Sequence, residues 1–315
     1  MNLITGGTGF IGQHLVRELL RQGEAVRVLV RPSSTIPDEW QGKAQIAIGD
    51  ISDPSSLAKA FANVTRVFHL ASELRQTRQM YAANVEGTRN VLSLSHQASV
   101  KHIVLLSSVS VVGDTSAGTI DEAAPCFPVS PYQKTKYQAD LLAQEWSSQT
   151  NIPVSILRVA NVFGEGTRLS ADSMLAWLQS IQRGRFIYFD RQSVANYIYV
   201  EDVVSACLYA SNALAQGTYI ITDSCALVDF VDACVGALGS KHPQITIPWP
   251  IAYWIAFLAE RVIRNSPLTV SRARALSNRT LYRSKRSVEL GWSPPIGFRE
   301  GLRRTVAWYR LTQRL

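Results

Sequence analysis

The chain has 315 residues, 46% of them hydrophobic, enough for one large core and a smaller elaboration, and a formal net charge of +8. No apolar run reaches the roughly 18 to 20 residues of a membrane span, and no secretory h-region precedes the first strand, so a cytoplasmic protein is expected. Cys126, Cys207, Cys225 and Cys234 lack C-x-x-C spacing, His14, His69, His96, His102 and His242 lack ligand spacing, and no nucleic-acid-reading motif accompanies the charge; neither a metal site nor specific nucleic-acid recognition is expected.

Asn2-Leu3-Ile4 reads as a short strand and Gln13–Leu20 as a helix, with Thr5-Gly6-Gly7-Thr8-Gly9-Phe10-Ile11-Gly12 between them. Gly7, Gly9 and Gly12 fit G-x-G-x-x-G, and Gly6, Gly9 and Gly12 fit G-x-x-G-x-x-G. Such glycines permit a tight turn, close approach of backbone to a pyrophosphate, and phosphates on a helix N-terminus. Alone, a glycine-rich loop is often just a turn; the strand–turn–helix setting makes this one a dinucleotide cradle. Ala25–Val30 reads as the second strand and runs into Arg31-Pro32-Ser33-Ser34. An NAD site usually has Asp or Glu here on the ribose 2′-hydroxyl, whereas Arg suits a 2′-phosphate. Arg31 therefore favours NADP, with NAD as the alternative; a merely solvated arginine is the plainer reading.

Strand-like and helix-like segments alternate to about residue 160, the pattern of a doubly wound parallel sheet. Within them Ser108 ends an apolar run, and Tyr132 and Lys136 follow in Ser130-Pro131-Tyr132-Gln133-Lys134-Thr135-Lys136. Ser130 reads as an N-cap, Pro131 as the first helical residue, and Gln133 as the partner in a capping box. Tyr132 and Lys136 then share one helix face. Acid/base work near neutrality requires a phenol of pKa about 10 to fall by roughly 3 units, about 4 kcal/mol. An ammonium about 4 Å away supplies roughly that, so an activated, low-pKa tyrosine is expected. The same pair is also an ordinary surface match on a helix, and the rest of the chain decides between the readings.

On these residues the chain resembles the extended short-chain dehydrogenases/reductases, also called the NAD-dependent epimerase/dehydratase family. Gly49-Asp50-Ile51 looks like the family's adenine-contacting turn, and Val67-Phe68-His69-Leu70-Ala71-Ser72 like its fourth strand end beside the cofactor. Asn84-Val85-Glu86-Gly87-Thr88-Arg89-Asn90 is similar to the N-x-x-G-T-x-N helix, and Leu106–Gly113 to the catalytic-serine strand. Leu157–Gly164 looks like the segment joining sheet to substrate pocket; Tyr199-Val200-Glu201-Asp202-Val203 and Glu289-Leu290-Gly291-Trp292 fall where the family has similar strings.

The resemblance implies an α/β Rossmann doubly wound parallel sheet with a smaller mixed α/β C-terminal substrate-binding cap. Residues 1–163 would form the dinucleotide-binding domain, with 191–224 returning to it; 164–190 and 225–315 would form the interleaved cap. A strand at 195–200, a helix at 201–213 and a strand at 218–222 are expected in the returning part. The implied chemistry is hydride transfer at a secondary alcohol or ketone carbon. Tyr132 would be the general acid/base, Ser108 a hydrogen-bond donor to the substrate oxygen, and Lys136 both tyrosine activator and nicotinamide-ribose ligand. Cofactor contacts would come from Gly6, Gly9, Phe10, Ile11, Gly12, Arg31, Ser33, Asp50 and Ile51. Leu70, Ala71, Ser72, Asn84, Tyr132, Lys136 and Val159 would complete them. Ser108, Ser110 and Asn161 would meet the substrate.

Family members that dehydrate nucleotide sugars carry an Asp-Glu pair directly after the serine; Val109 and Ser110 stand there in this chain, which argues against elimination. Epimerases of nucleotide sugars often carry an Arg where this chain has Ala195, although Asn161 fits their substrate-contact position. A reductase or dehydrogenase of the dihydroflavonol-reductase or 3β-hydroxysteroid-dehydrogenase type is therefore expected. A nucleotide-sugar 4-epimerase is the alternative, and a non-catalytic dinucleotide-binding regulator a lesser one. Family precedent also implies a homodimer through the helix after Asn84 and the helix bearing Tyr132. Met80, Tyr81, Leu141, Leu142 and Trp146 would serve it, or equally face the core.

Toward the C-terminus, residues 245–259 are almost wholly apolar, and between Arg261 and Arg286 there are eight Lys/Arg and no Asp or Glu. A buried cap helix followed by a solvated basic face, a basic cap over an acidic substrate, and peripheral membrane contact at 245–286 are the competing readings.

Overall fold

The computed structural model describes residues 1–113, 118–167, 172–212, 216–262 and 277–315. Seven parallel strands form one sheet: β1 (Asn2–Thr5), β2 (Val26–Val30), β3 (Gln45–Ile48), β4 (Arg66–His69), β5 (His102–Ser108), β6 (Val154–Val159) and β7 (Gly217–Ile221). Their spatial order is β7-β6-β5-β4-β1-β2-β3. The chain reverses direction across the sheet between β1 and β4, and in such sheets the crevice at the strands' C-terminal ends beside that switch binds ligands. The central strands are rich in Val, Ile and Leu because helices cover both faces.

The helices that position the site are α1 (Phe10–Arg21), α2 (Gly87–Gln97) and α3 (Pro131–Thr150). Outside the sheet lie α4 (Ser173–Gln182), α5 (Val200–Asn212), α6 (Leu227–Leu238), α7 (Trp249–Val262) and α8 (Gly297–Leu311). α4, α6 and α8 share a second core around Phe230, Leu178, Leu302 and Tyr309. α3 starts as its sequence requires: the Ser130 hydroxyl accepts from Gln133 N, the Gln133 side chain accepts from Ser130 N, and Pro131 occupies the first turn. α8 is capped by two acids from elsewhere. The Asp202 carboxylate accepts from Ile296 N and Gly297 N, and Asp223 from Phe298 N. That is the structural content of the Tyr199–Val203 string, since negative charge is favourable at a helix N-terminus.

One expected element divides. The strand expected at 195–200 is two short pieces, neither in the large sheet: Val194–Ala195 pairs antiparallel with Cys225–Ala226, and Tyr197–Tyr199 parallel with Asn161–Phe163. The break falls on Asn196, whose buried amide donates to Thr280 O at 2.8 Å and accepts from the Ser224 hydroxyl at 2.7 Å. A buried polar side chain that must be satisfied there overrides a continuous ladder. Of the residues raised as dimer contacts, Met80 is buried, while Tyr81 and Leu141 are exposed and Leu142 and Trp146 half-buried.

Candidate active site

The glycine loop joins β1 to α1 with the geometry its spacing predicts. Gly6 has φ +71°, and a Cβ there would lie 2.6 Å from Ala71 N; a Cβ on Gly12 would lie 2.2 Å from Gly6 O. Only glycine allows these backbones to approach so closely. Gly9 is the N-cap of α1 and offers no side chain to the first-turn N–H groups, and no acid stands in that turn. Phe10 and Ile11 are half-buried in it. A cradle without Cβ atoms at an uncapped helix N-terminus suits a pyrophosphate, so the residues present fit a dinucleotide.

Around this cradle the strand ends bring in the other candidates. Arg31 and Ser33 follow β2 and are exposed. Arg31 lies close enough to Glu73 to help hold that carboxyl below its usual range, after backbone hydrogen bonds to it from Gln76 and Arg75. Asp50 follows β3 and accepts from the backbone and hydroxyl of Ser52. Leu70, Ala71 and Ser72 follow β4, with Leu70 N bonded to Thr5 O and Ala71 N to the Thr5 hydroxyl.

The N-x-x-G-T-x-N segment is a set of ties between these loops. Asn84 sits in a π-helical turn, Ala82–Glu86, at the start of α2. Its oxygen accepts from the Ser72 hydroxyl and Glu73 N, and its nitrogen donates to Glu73 O and Thr135 Oγ1. Both ends of the amide are thus engaged by protein, which makes Asn84 a clamp between the β4 loop and α3. Gly87 leaves room for Ile51, whose Cδ1 would lie 2.8 Å from a Cβ there, and Asn90 Nδ2 donates to Ile51 O at 2.9 Å. Thr88 meets His69 (Nε2···Oγ1 3.0 Å), and His69 Nδ1 meets the Thr5 hydroxyl at 2.7 Å. The Thr88 hydroxyl donates to Asn84 O at 2.7 Å, so it accepts from His69, which fixes the Nε2–H tautomer. Burial, then the charge of Lys136, push the His69 pKa down to about 3, so the ring is neutral.

The three catalytic candidates converge at the C-terminal end of β5. Ser108 is its last residue and pairs in register with Val159, the buried last residue of β6. The Ser108 oxygen accepts from Ser110 N at 3.2 Å and lies 2.9 Å from the Ser110 hydroxyl. It also lies close enough to the Tyr132 phenol to favour the phenol's ionised form. Lys136, one turn further along α3, is buried, and its Nζ donates to Leu106 O at 2.7 Å. Asn161 begins the strand beyond β6 and is exposed, with its backbone N–H on Asn196 O at 3.1 Å.

The expected low-pKa tyrosine is not what the geometry makes. Burial raises the Tyr132 pKa above its usual value; the nearby Ser108 hydroxyl lowers it less, and Asp140 raises it further. Desolvation of the phenol, which the Tyr132–Lys136 spacing does not reveal, outweighs what lowers it. Burial likewise lowers the Lys136 pKa to about 8, opposed by the negative charge of Asp140. Asp140, one turn beyond Lys136, was missed in the sequence. It is fully buried and accepts from Arg158 Nε at 2.9 Å. Its spacing from Lys136 on one helix face was the available signal. Arg158 lies within a motif already noted, but nothing local marks it as Asp140's partner.

Among the described residues no cluster of His, Cys, Asp or Glu could hold a metal ion. Sequence comparison decides the family: the NAD dependent epimerase/dehydratase family matches residues 2–221. The chain belongs to that family. It is 30% identical to the 3beta-hydroxysteroid-dehydrogenase/decarboxylase isoform 1 of Arabidopsis thaliana over 96% of this chain and 78% of that protein. It is 26% identical to the N-acetyl-alpha-D-glucosaminyl-diphospho-ditrans,octacis-undecaprenol 4-epimerase of Escherichia coli O157:H7, over 97% and 94% of the two chains. Among solved structures, gox2253 superposes with a TM-score of 0.82 at 27% identity, covering 100% of this chain and 99% of the other. The family member described here is thus an α/β enzyme with a seven-stranded Rossmann-like parallel sheet and a smaller mixed C-terminal region.

Proposed function

We propose that this enzyme is an oxidoreductase that moves hydride between a nicotinamide dinucleotide and a secondary alcohol or ketone on an extended apolar substrate of the 3β-hydroxysteroid kind. The observation that carries the reading is the meeting of Ser108, Tyr132 and the buried Lys136 at the end of β5, beside a cradle shaped for pyrophosphate. The first relative named above supports the substrate class.

Gly6, Gly9, Phe10, Ile11 and Gly12 would hold the pyrophosphate, and Asp50 and Ile51 the adenine. Arg31 and Ser33, exposed beyond β2 where the strand itself ends without an acid, favour NADP over NAD. Leu70, Ala71, Ser72 and Val159 would line the path to the reacting ring, and Lys136 would hold the nicotinamide ribose. When bound, that ring supplies or accepts the hydride. Tyr132 passes a proton to or from the substrate oxygen, Ser108 donates a hydrogen bond to the same oxygen, and Ser110 and Asn161 orient the rest of the molecule. Val109 and Ser110 offer no acid/base pair for elimination.

A 4-epimerase acting on a nucleotide or lipid-linked sugar is the second reading, supported by the Escherichia coli relative and by the exposed Asn161. Identification of the dinucleotide that co-purifies, followed by turnover assays with ketosteroids and UDP-sugars, separates the two. Turnover of a ketosteroid with added NADPH is expected. Stoichiometric, tightly held NAD with no response to NADPH would overturn the leading reading.

A further inference from the structure

α7 has an apolar stripe on each of two sides. Ala252 and Ala256 are fully buried and pack with Phe189. Ile251, Trp254, Ile255 and Leu258 form a second stripe at i, i+3, i+4 and i+7, and they are 53%, 60%, 44% and 56% exposed. Four large side chains in one helical register on the solvent side are not scattered surface apolars, and contiguous patches of that kind mark interaction surfaces. Ile245, shortly before α7, is also exposed, in a segment tied to Tyr188 by two backbone hydrogen bonds.

The charge around this stripe indicates what covers it. Arg261 stands in the last turn of α7 with its guanidinium 4.0 Å from the centre of the Phe257 ring. Arg191 stacks on Tyr188 and donates to the Thr246 hydroxyl, next to Ile245. From Arg261 to Arg286 the sequence carries eight Lys/Arg and no acid. Residues 263–276 lie outside the described residues and contribute to this argument by sequence alone. Arg279 pairs with Asp190, Lys285 lies 3.9 Å from Asp121 and Arg286 donates to Thr218 O on β7, so the cations that the structure sets against this segment are Arg261 and Arg191. A second copy docked here would bring two cationic segments together, and an anionic bilayer would not. At 14 residues α7 is about 21 Å long, short of the roughly 30 Å hydrocarbon core, and among the described residues no helix is long and apolar enough to cross a membrane.

We propose that α7 is a membrane-surface anchor: it lies in the plane of an anionic phospholipid bilayer, with Ile251, Trp254, Ile255 and Leu258 in the acyl boundary and Arg261 and Arg191 on the headgroups. This holds whichever alcohol the active site oxidises. It would place the active-site domain beside the phase in which apolar substrates dissolve.

The test is flotation of the full-length chain with vesicles of phosphatidylcholine alone or containing about 30% phosphatidylglycerol. Binding to the anionic vesicles is expected to be at least about tenfold stronger, and to weaken severalfold in about 0.5 M NaCl. Trp254→Ser with Leu258→Ser should reduce it by about tenfold or more while leaving the circular-dichroism melt unchanged, because both side chains are exposed. Failure to float with either vesicle, equal binding to both, or undiminished binding by the double variant would overturn the proposal. So would self-association that the double variant abolishes in the absence of lipid binding, since the occupant would then be a second copy.

Discussion

Lys136 Nζ donates to the Leu106 carbonyl at 2.7 Å, tying helix α3 to β5 through a buried cation. The charge is costly to the fold. With a folded pKa lowered from 10.5 to about 8, this group binds its proton less readily in the folded state than in the unfolded chain, so its contribution to stability is most favourable above pH 10.5 and falls as the pH drops towards 8. Below that the penalty is constant at about 3 kcal/mol, from roughly 1.4 kcal/mol per unit. Lys136→Met removes it and gives up one hydrogen bond of about 1 kcal/mol. Asp140 also loses a neighbouring cation, so the variant is expected to be more stable in urea at pH 7 by at most about 2 kcal/mol and to lose about 10²–10⁴ in rate. Lower stability than the parent would show that the ammonium supports the fold.

Tyr132→Phe separates proton transfer from binding. The Tyr132 hydroxyl interacts with Ser108 and supports no other described element through a hydrogen bond, so its removal should leave dinucleotide affinity within about twofold. Turnover should fall by about 10²–10⁴, the range for loss of a general acid/base. Titration of dinucleotide fluorescence and steady-state rates give the two numbers. Undiminished turnover would remove the phenol from the chemistry.

The glycine cradle predicts a rank order. A Cβ on Gly12 meets backbone at 2.2 and 2.7 Å, whereas one on Gly9 meets Gly6 O at 3.1 Å. Gly12→Ala must move the loop backbone and is expected to cost about 1–3 kcal/mol of stability together with most of the dinucleotide affinity. Gly9→Ala requires only a few tenths of an ångström from the protein and should keep most of the stability, while its Cβ would enter the space of the pyrophosphate and cost dinucleotide affinity. Calorimetric melting and titration of the two variants check this, and a Gly12 variant that binds like the parent would contradict it.

These local features were legible because each is written within a few consecutive residues. The strand–glycine–helix run, the Ser130–Gln133 capping box and the Tyr132–Lys136 spacing need no tertiary information, and the structure contains all three. What sequence reading lost was set by distant partners. Asn196 divides a strand because Thr280 and Ser224 arrive from elsewhere in the chain. Asp140 is buried because Arg158 reaches it from β6, and the Tyr132 pKa rises because packing excludes water from the phenol. The motif at Asn84 records that an amide is needed, and the partners that engage it, Ser72, Glu73 and Thr135, come from other segments of the chain.

His69 couples the site's connectivity to acid stability. The neutral ring links Thr5 on β1 to Thr88 on α2, and its folded pKa of about 3 lies far below the ordinary 6.5. The unfolded chain therefore binds the proton first. The contribution is fully present above pH 6.5, declines as the pH falls below it, and is exhausted near pH 3. At pH 5, about 1.5 units below the unfolded value, the loss from this one group is about 2 kcal/mol. Replacement by a side chain that does not titrate removes that slope: His69→Gln should begin less stable at pH 7, through imperfect replacement of two hydrogen bonds, and then lose about 2 kcal/mol less than the parent between pH 7 and pH 5. Urea unfolding of both proteins at the two pH values measures the difference. Parallel losses would show that His69 is not the group that links folding to protons in this range.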